Sequence, residues 1–220
     1  MTNSRKPVDG ARQNIRPSAA ARRLIDASKS LLESLSPDEI TTTMVLKKAS
    51  VARNTLYLHF EDHNALLEAA LLEIFTEGVD EHLRLLVASL SKADNKNDFV
   101  KRIGDVIEIS QDMRRRDFRV TRCRLIAHTD KNPRFSVLLG KEQVRINNDF
   151  TAFFLQLQAR GWMGSKLSPA TAAVIIQALT LGRTVDDVSA DRLSPASWNE
   201  AFMTIVKDVI LSSAAEQTGV

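Results

Sequence analysis

The sequence is poor in cysteine and glycine and has no long apolar run, and each shortage argues against a class of protein. Its single cysteine, Cys123, excludes an intrachain disulfide and a thiolate metal cluster, which fits a reducing compartment. The eight glycines are scattered and form neither a phosphate loop nor a dinucleotide fingerprint, and no nucleophile elbow occurs. No segment approaches the ~20 apolar residues that span a bilayer. We therefore expect no enzyme, cofactor, metal site or membrane protein.

Charge is distributed unevenly between the two ends of the chain. Residues 1–60 carry ten Lys and Arg against five Asp and Glu, whereas residues 61–220 carry twenty against twenty-two. A basic excess at one end is expected where a chain meets a polyanion, although such a segment is often only a solvated tail. Residues 1–16 lack the apolar stretch of a signal peptide, so we predict a disordered basic arm on a cytoplasmic protein.

Apolar residues recur at intervals of three and four along most of the chain, which predicts an all-α protein of about nine helices. Hydrophobic residues make up 44% of the sequence, enough for one large core or two smaller ones. The pattern from 66 to 90 predicts a fourth helix long enough to join two domains. Helix starts are predicted from capping residues, namely Ser18, Thr41, Asp62, Ser168 and Ser194.

The stretch from 41 to 63 has the spacing of two short helices joined by a tight turn. Val45 and Ala49 recur at helical spacing, and Leu56 and Phe60 do so after a break, so two apolar faces can close on each other. Polar and cationic side chains suited to phosphate oxygens and base edges lie between them: Thr41, Thr42, Thr43, Lys47, Lys48, Arg53, Asn54, Thr55, Tyr57 and His59. This favours a sequence-specific DNA-binding protein.

The segment LKKASVARNTLYLHFEDHNALLEAAL resembles the DNA-binding domain of TetR-family bacterial transcriptional regulators, and the resemblance covers roughly residues 24–71. It implies a three-helix, helix-turn-helix DNA-binding domain over 17–62. It also implies a connecting fourth helix and an all-helical domain over 63–220 that binds a ligand and dimerises. The expected function is a ligand-responsive repressor that binds a palindromic operator in double-stranded DNA as a homodimer. A ligand-independent DNA-binding or protein-interaction module is the alternative.

The resemblance also assigns roles to individual residues. The implied DNA-contacting set is Thr41, Thr42, Thr43, Arg53, Asn54, Thr55, Tyr57, His59 and His63. The threonines are expected at phosphates, and Arg53, Asn54 and Thr55 in the major groove. The sequence departs from the family's usual choices at Ser50, Ala52 and His63, which replace a turn glycine, a serine cap and a phosphate-contacting lysine. Each departure weakens one expected contact.

Two sets of apolar residues are candidates for function in the C-terminal domain. Aromatic and aliphatic residues that could line a pocket for a small, mainly apolar effector are Phe99, Ile103, Phe118, Phe150, Phe154 and Trp162. Such residues more often only fill a core. The last two helices carry apolar positions on more than one face, and a dimer can read two half-sites. Candidate interface residues are Val174, Ala178, Leu181, Phe202, Ile205 and Val209.

A cluster of arginines is the strongest charge feature outside the N-terminal region. Its members are Arg114, Arg115, Arg116, Arg119, Arg122 and Arg124. We expect a solvated face, because charge runs at helical spacing usually lie in water. A clamp between the two domains and a docking site for an anionic ligand are the functional alternatives.

Overall fold

The structure is a computed structural model that describes residues 18–212, so the predicted basic arm over 1–16 lies outside the described residues. Within that range the chain forms nine α-helices and no strand, which confirms the all-α prediction. The helices are α1 Ala19–Leu32, α2 Thr42–Ala49, α3 Arg53–His59, α4 His63–Lys92, α5 Lys96–Gln111, α6 Arg116–His128, α7 Pro133–Ala159, α8 Pro169–Asp187 and α9 Pro195–Ile205.

The capping residues predicted from the sequence do cap the helices. The Thr41 hydroxyl accepts a hydrogen bond from the backbone N–H of Met44 at 3.3 Å, and the Asp62 carboxylate accepts one from Ala65 at 2.6 Å. The hydroxyls of Ser18, Ser168 and Ser194 cap α1, α8 and α9 in the same way. Each bond satisfies a first-turn N–H that has no partner inside its helix, so local chemistry sets these helix starts.

The chain divides into two compact units, one ending at Ala70 and the other beginning at Leu71. The predicted boundary fell at residue 62, before α4. The first two turns of α4 belong to the N-terminal unit because Leu66, Leu67 and Ala70 are buried in its core. The other buried members of this core are Leu24, Ile25, Ala27, Ile40, Val45, Ala49 and Leu56.

The C-terminal unit has its own core, in which aromatic side chains from α4, α5 and α7 are fully buried. Phe75, Phe99 and Phe150 are each at most 2% exposed, and α7 packs mainly on α8. Among residues 18–212 no helix has an apolar stretch that would reach across a bilayer. The same residues bring no three His, Cys, Asp or Glu side chains together as metal ligands.

Candidate nucleic-acid interface and internal cavities

The turn between α2 and α3 is built around Ser50, which adopts the left-handed conformation with φ 53° and ψ 48°. The N–H of Val51 donates to the carbonyl of Leu46 at 3.2 Å, and the N–H of Ser50 donates to that of Lys47 at 3.4 Å. These are the paired bonds of a Schellman motif, which usually has glycine at this position. The left-handed conformation costs about 1–2 kcal/mol for a residue with a Cβ, so serine makes this turn less stable than glycine would.

Helix α3 is short and is anchored by one fully buried side chain, Leu56, with Phe60 packed against the same core just after the helix ends. Ala52 occupies the N-cap position and offers no side-chain hydrogen bond. The helix therefore lacks both a capping side chain and the length that would stabilise it alone, and its position depends on the core beneath it.

The outer face of α3 presents the side chains expected to read DNA. Arg53 and Asn54 are exposed, and Tyr57 is 49% exposed. Thr55 is half-buried at the edge of this face. The guanidinium carbon of Arg53 lies 6.0 Å from the centre of the Tyr57 ring, at the outer limit of a cation–π contact. These side chains form one surface that can enter a groove.

Leu58 belongs to the same exposed face and is absent from the predicted set. Its side chain is 78% exposed, whereas the other leucine of α3, Leu56, is fully buried. Residues four apart share a helix face, so Leu58 lies beside Asn54. The sequence did carry a signal, because Leu58 falls out of register with the buried pair Leu56 and Phe60. An apolar side chain here suits the methyl group of thymine.

The N-terminus of α2 carries three consecutive threonines. Thr41 and Thr43 are exposed and Thr42 is half-buried, so hydroxyl groups surround the positive end of the helix dipole, where an anion binds favourably. Lys47 and Lys48, in the last turn of α2, are also exposed. The N-terminal unit therefore exposes short polar groups and cations on α2 as well as on α3.

The two histidines of the predicted set already have partners in the protein. The Nε2 atom of His59 lies 3.0 Å from the Ser18 hydroxyl. His63 donates from Nε2 to the carbonyl of Ile40 at 2.8 Å, and its Nδ1 is buried without a hydrogen-bond partner among the described residues. Binding phosphate through Nε2 of His63 would break this bond, so the imidazole holds the start of α4 to the segment before α2.

No protein-family model and no curated protein matches this sequence, but solved structures match its fold. A protein of Mesorhizobium loti assigned to the TetR family of transcriptional regulators superposes with a TM-score of 0.67. The match has 18% identity and covers 88% of this chain and 96% of that one. The chain has the TetR-family fold. A TetR-family regulator of a Rhodococcus species gives a TM-score of 0.64 at 20% identity, covering 88% and 98%.

A third solved structure, of a transcriptional regulator of Saccharomonospora viridis in complex with choline, has a TM-score of 0.61 at 16% identity. The match covers 89% of this chain and 99% of that one. These likenesses extend over both units, so the TetR-family fold accounts for the C-terminal helices as well as for α1 to α3.

In this TetR-family fold the C-terminal unit contains two adjoining cavities, each with about 30 Å³ of free volume. The polar cavity is lined by Phe118, Phe150 and arginines of α6. The apolar cavity is lined by Phe99, Ile103, Phe154 and other apolar residues. Five of the six predicted ligand-contacting residues therefore line a cavity. The sixth, Trp162, lines neither of the two and instead packs on Phe99, with ring centres 5.5 Å apart.

The arginine cluster does not form the solvated face predicted for it. Arg114 and Arg124 are exposed, but Arg119 is 1% exposed and Arg122 is 6% exposed. Arg119 donates from Nε and Nη2 to the two carboxylate oxygens of Asp187, at 2.8 and 2.9 Å. The prediction was wrong for Arg119 and Arg122 because α6 turns these two side chains into the unit, where Asp187 of α8 meets the first of them.

Helix α8 and the residue that follows it carry an apolar stripe at spacings of four, three, four and three residues, in which Leu181 is half-buried and the other members are exposed. The stripe consists of Val174, Ala178, Leu181, Val185 and Val188, and both of its last two members are more than 70% exposed. Three of these five belong to the predicted interface set. Val209 is 49% exposed and Ile205 is half-buried, but Phe202 is 3% exposed and lines the apolar cavity. Phe202 thus lies inside its own protomer rather than on a dimerising face.

Proposed function

We propose that this protein is a sequence-specific DNA-binding transcriptional regulator that acts as a homodimer and responds to a small molecule. The observation that carries the proposal is the arrangement of α2 and α3, in which buried Leu56 fixes a short helix whose outer face presents Arg53, Asn54 and Tyr57. The likeness of the fold to solved transcriptional regulators supports it.

In the proposed complex α3 enters the major groove. Arg53 suits the two acceptors of guanine, and Asn54 suits the donor and acceptor of adenine. The threonines at the start of α2 bind the phosphates on one side of the groove, which positions α3 without reading sequence. Leu58 adds an apolar contact. This division makes α3 the reader and the start of α2 the anchor.

The proposed dimer forms through the apolar stripe of α8. A repeat of four and three residues is the spacing with which one helix packs into a partner helix, and such a row of exposed apolar residues needs an explanation. A twofold dimer reads two half-sites ~34 to 36 Å apart. The operator is therefore expected to be a near-palindrome.

We propose that α4 transmits the effect of a bound small molecule from the C-terminal unit to the DNA-binding helices. It is one continuous helix, with Leu66 in the N-terminal core and Gly78, Val79 and His82 in the wall of the polar cavity. A ligand that favours the DNA-incompetent conformation makes the protein a repressor released by its effector. Linkage then requires the operator to weaken effector binding by the same factor.

A selection from random double-stranded DNA with the full-length protein tests the DNA-binding role. We expect an inverted repeat to be enriched. Arg53→Ala should cost about 1–3 kcal/mol and relax the preference at one base pair of each half-site, whereas Thr42→Ala should weaken binding to all sequences alike. Arg84→Ala, at an exposed position of α4, is the matched loss of a cation outside α2 and α3. Absence of any enriched sequence would contradict the proposal.

The small cavities favour a second candidate, a regulator that binds DNA without a ligand. A free volume of about 30 Å³ is close to that of one water molecule. The test is to measure operator affinity with and without a ligand that has been shown to bind the C-terminal unit. Equal affinities would favour this candidate, since an effector can regulate DNA binding only by changing its affinity.

A further inference from the structure

We propose that the effector is an amphipathic carboxylate, whose anionic head pairs with Arg122 in the polar cavity and whose apolar body occupies the adjoining cavity of Phe99, Phe153 and Phe154. This inference rests on the proposed ligand-responsive role of the C-terminal unit and names the chemistry of the ligand. Its first support is the unusual state of the Arg122 side chain.

Among the described residues, no carboxylate partners the buried guanidinium of Arg122. This residue is 6% exposed, and its Nε has no hydrogen-bond partner among residues 18–212. The guanidinium carbon lies 5.1 Å from the centre of the Phe75 ring, a contact that orients the group but does not neutralise it. Burial lowers the pKa of Arg122, yet arginine keeps its proton in proteins. An uncompensated buried charge is costly, and an anionic ligand would remove that cost.

The other cations at this cavity already have partners. Arg119 is paired with Asp187, and a guanidinium nitrogen of Arg115 lies 3.1 Å from a carboxylate oxygen of Glu81. Of the three arginines in the cavity wall, Arg122 is therefore the one without an anionic partner among the described residues. A carboxylate matches it with one charge and two acceptors in the plane of the guanidinium. Asp187 also lies 3.9 Å from Nε of buried Arg183, which is outside the cavity wall, so the choice of a carboxylate rests on the geometry of the Arg122 guanidinium and not on the total charge of the region.

Several polar side chains in the same wall are bound within the protein. Ser110 donates to the carbonyl of Ile107, Thr180 donates to that of Ile176, and Gln177 donates to Ala173 and Asn147. Gln177 also accepts a bond from Gln143. These groups hold their own helices and neighbours, so Arg122 is the group best placed to bind a head group.

The apolar part of the ligand follows from the adjoining cavity. His82, Ser110 and Ile176 line both cavities, so a molecule bound at Arg122 can extend from one into the other. The second cavity is walled mainly by aliphatic and aromatic side chains, which favours a hydrocarbon body. Each cavity is small as it stands, and a ligand of this size would move Phe118, which is half-buried in the wall of the polar cavity.

Titration calorimetry of the full-length protein without DNA, with octanoate and with octanamide as probes, tests the inference. The two probes share a chain length and differ in the charge of the head group. We expect octanoate to bind about tenfold or more tightly than octanamide, the usual advantage of a charged hydrogen bond. Arg122→Met should abolish that difference. Arg124→Met removes an exposed arginine two residues along α6 and should leave it intact.

The stability of Arg122→Met separates a ligand-binding role from a structural one. Replacing an unpaired buried charge by an apolar side chain of similar length should leave the midpoint of thermal unfolding unchanged or raise it. A lower midpoint would identify Arg122 as a structural residue and overturn the inference. So would failure of octanoate to bind the wild type, equal binding of the two probes, or a difference that persists in Arg122→Met. The calorimetry contains no DNA and so tests ligand binding alone. If the protein distinguished octanoate from octanamide but bound no operator, only the DNA-binding proposal would be refuted.

Discussion

Gly78, in the middle of α4, provides the most direct test of how tightly α4 and α6 pack. A Cβ added at Gly78 would lie only 2.1 Å from Cε2 and 2.3 Å from Cζ of Phe118, so the phenyl ring occupies the space of a side chain. Gly78→Ala must therefore displace Phe118 or separate the helices. Overpacking of this kind typically costs about 1–3 kcal/mol. A helical Gly→Ala change gains about 0.5–1 kcal/mol, so the net loss is at most about 2.5 kcal/mol.

The size of the loss should depend on the phenyl ring alone. In a Phe118→Ala background the clash is gone, and Gly78→Ala should then stabilise the protein by about 0.5–1 kcal/mol. The coupling between the two changes equals the overpacking cost of about 1–3 kcal/mol. Gly140→Ala, in α7, is the control because nothing lies within 4 Å of an added Cβ there. It should stabilise in both backgrounds.

Urea unfolding at a fixed protein concentration measures these differences. Trp162 and Trp198 are the two tryptophans of the chain, and both lie after Leu71, so their fluorescence reports on the C-terminal unit. Fixing the concentration matters because dimerisation adds to the apparent stability. If Gly78→Ala stabilised the wild type as much as Gly140→Ala does, the close packing of Phe118 on α4 would be refuted.

Further substitutions and a change of pH test other parts of the molecule. Ser50→Gly should stabilise the N-terminal unit by about 1 kcal/mol, because glycine adopts the left-handed conformation without strain. Ala52→Ser should stabilise it by about 0.5–2 kcal/mol, because serine supplies a helix cap. Unfolding followed by circular dichroism measures both effects, and a loss of stability in both variants would contradict the turn geometry. Val185→Asp should convert a dimer into a monomer in sedimentation at micromolar concentration, whereas Val137→Asp, at another exposed valine, should not. Burial and the charges of Arg115 and Arg122 lower the pKa of His82 to about 4, with Glu81 opposing them. Between pH 6.5 and 4 the imidazole is protonated in the unfolded state but not in the folded state. The free energy of unfolding should therefore decrease by up to about 3 kcal/mol as the pH is lowered from 6.5 to 4, and it should decrease less in His82→Gln.

The features predicted correctly from the sequence are those set by a few neighbouring residues. A hydroxyl or carboxylate capping an N–H three residues on, as at Thr41 and Asp62, involves one helical turn. The apolar repeat that buries Leu56 is also local, because helix geometry fixes which side chains share a face. Both kinds of signal can be recognised in a single sequence, which is why the order of helices was predicted.

The end of the N-terminal unit could not be predicted in this way. A helix start is a local event, and α4 does start at its cap, but α4 continues through the boundary without any change in its apolar pattern. The first turns of α4 belong to the N-terminal unit because Leu66 and Ala70 are buried in its core. That core is formed by residues of α1 and α2, which are distant in the sequence. Secondary structure and domain structure therefore change at different residues.

The arginine cluster shows the same limit within one short stretch. Arg119, Arg122 and Arg124 belong to one helix and have the same chemistry, yet one is buried in an ion pair, one is buried without a partner and one is exposed. The difference comes from Asp187, 68 residues after Arg119. A carboxylate at that distance leaves no trace in the spacing of α6. If the partner of Arg122 is a ligand, the deciding group lies outside the chain altogether, and no pattern in the sequence could reveal it.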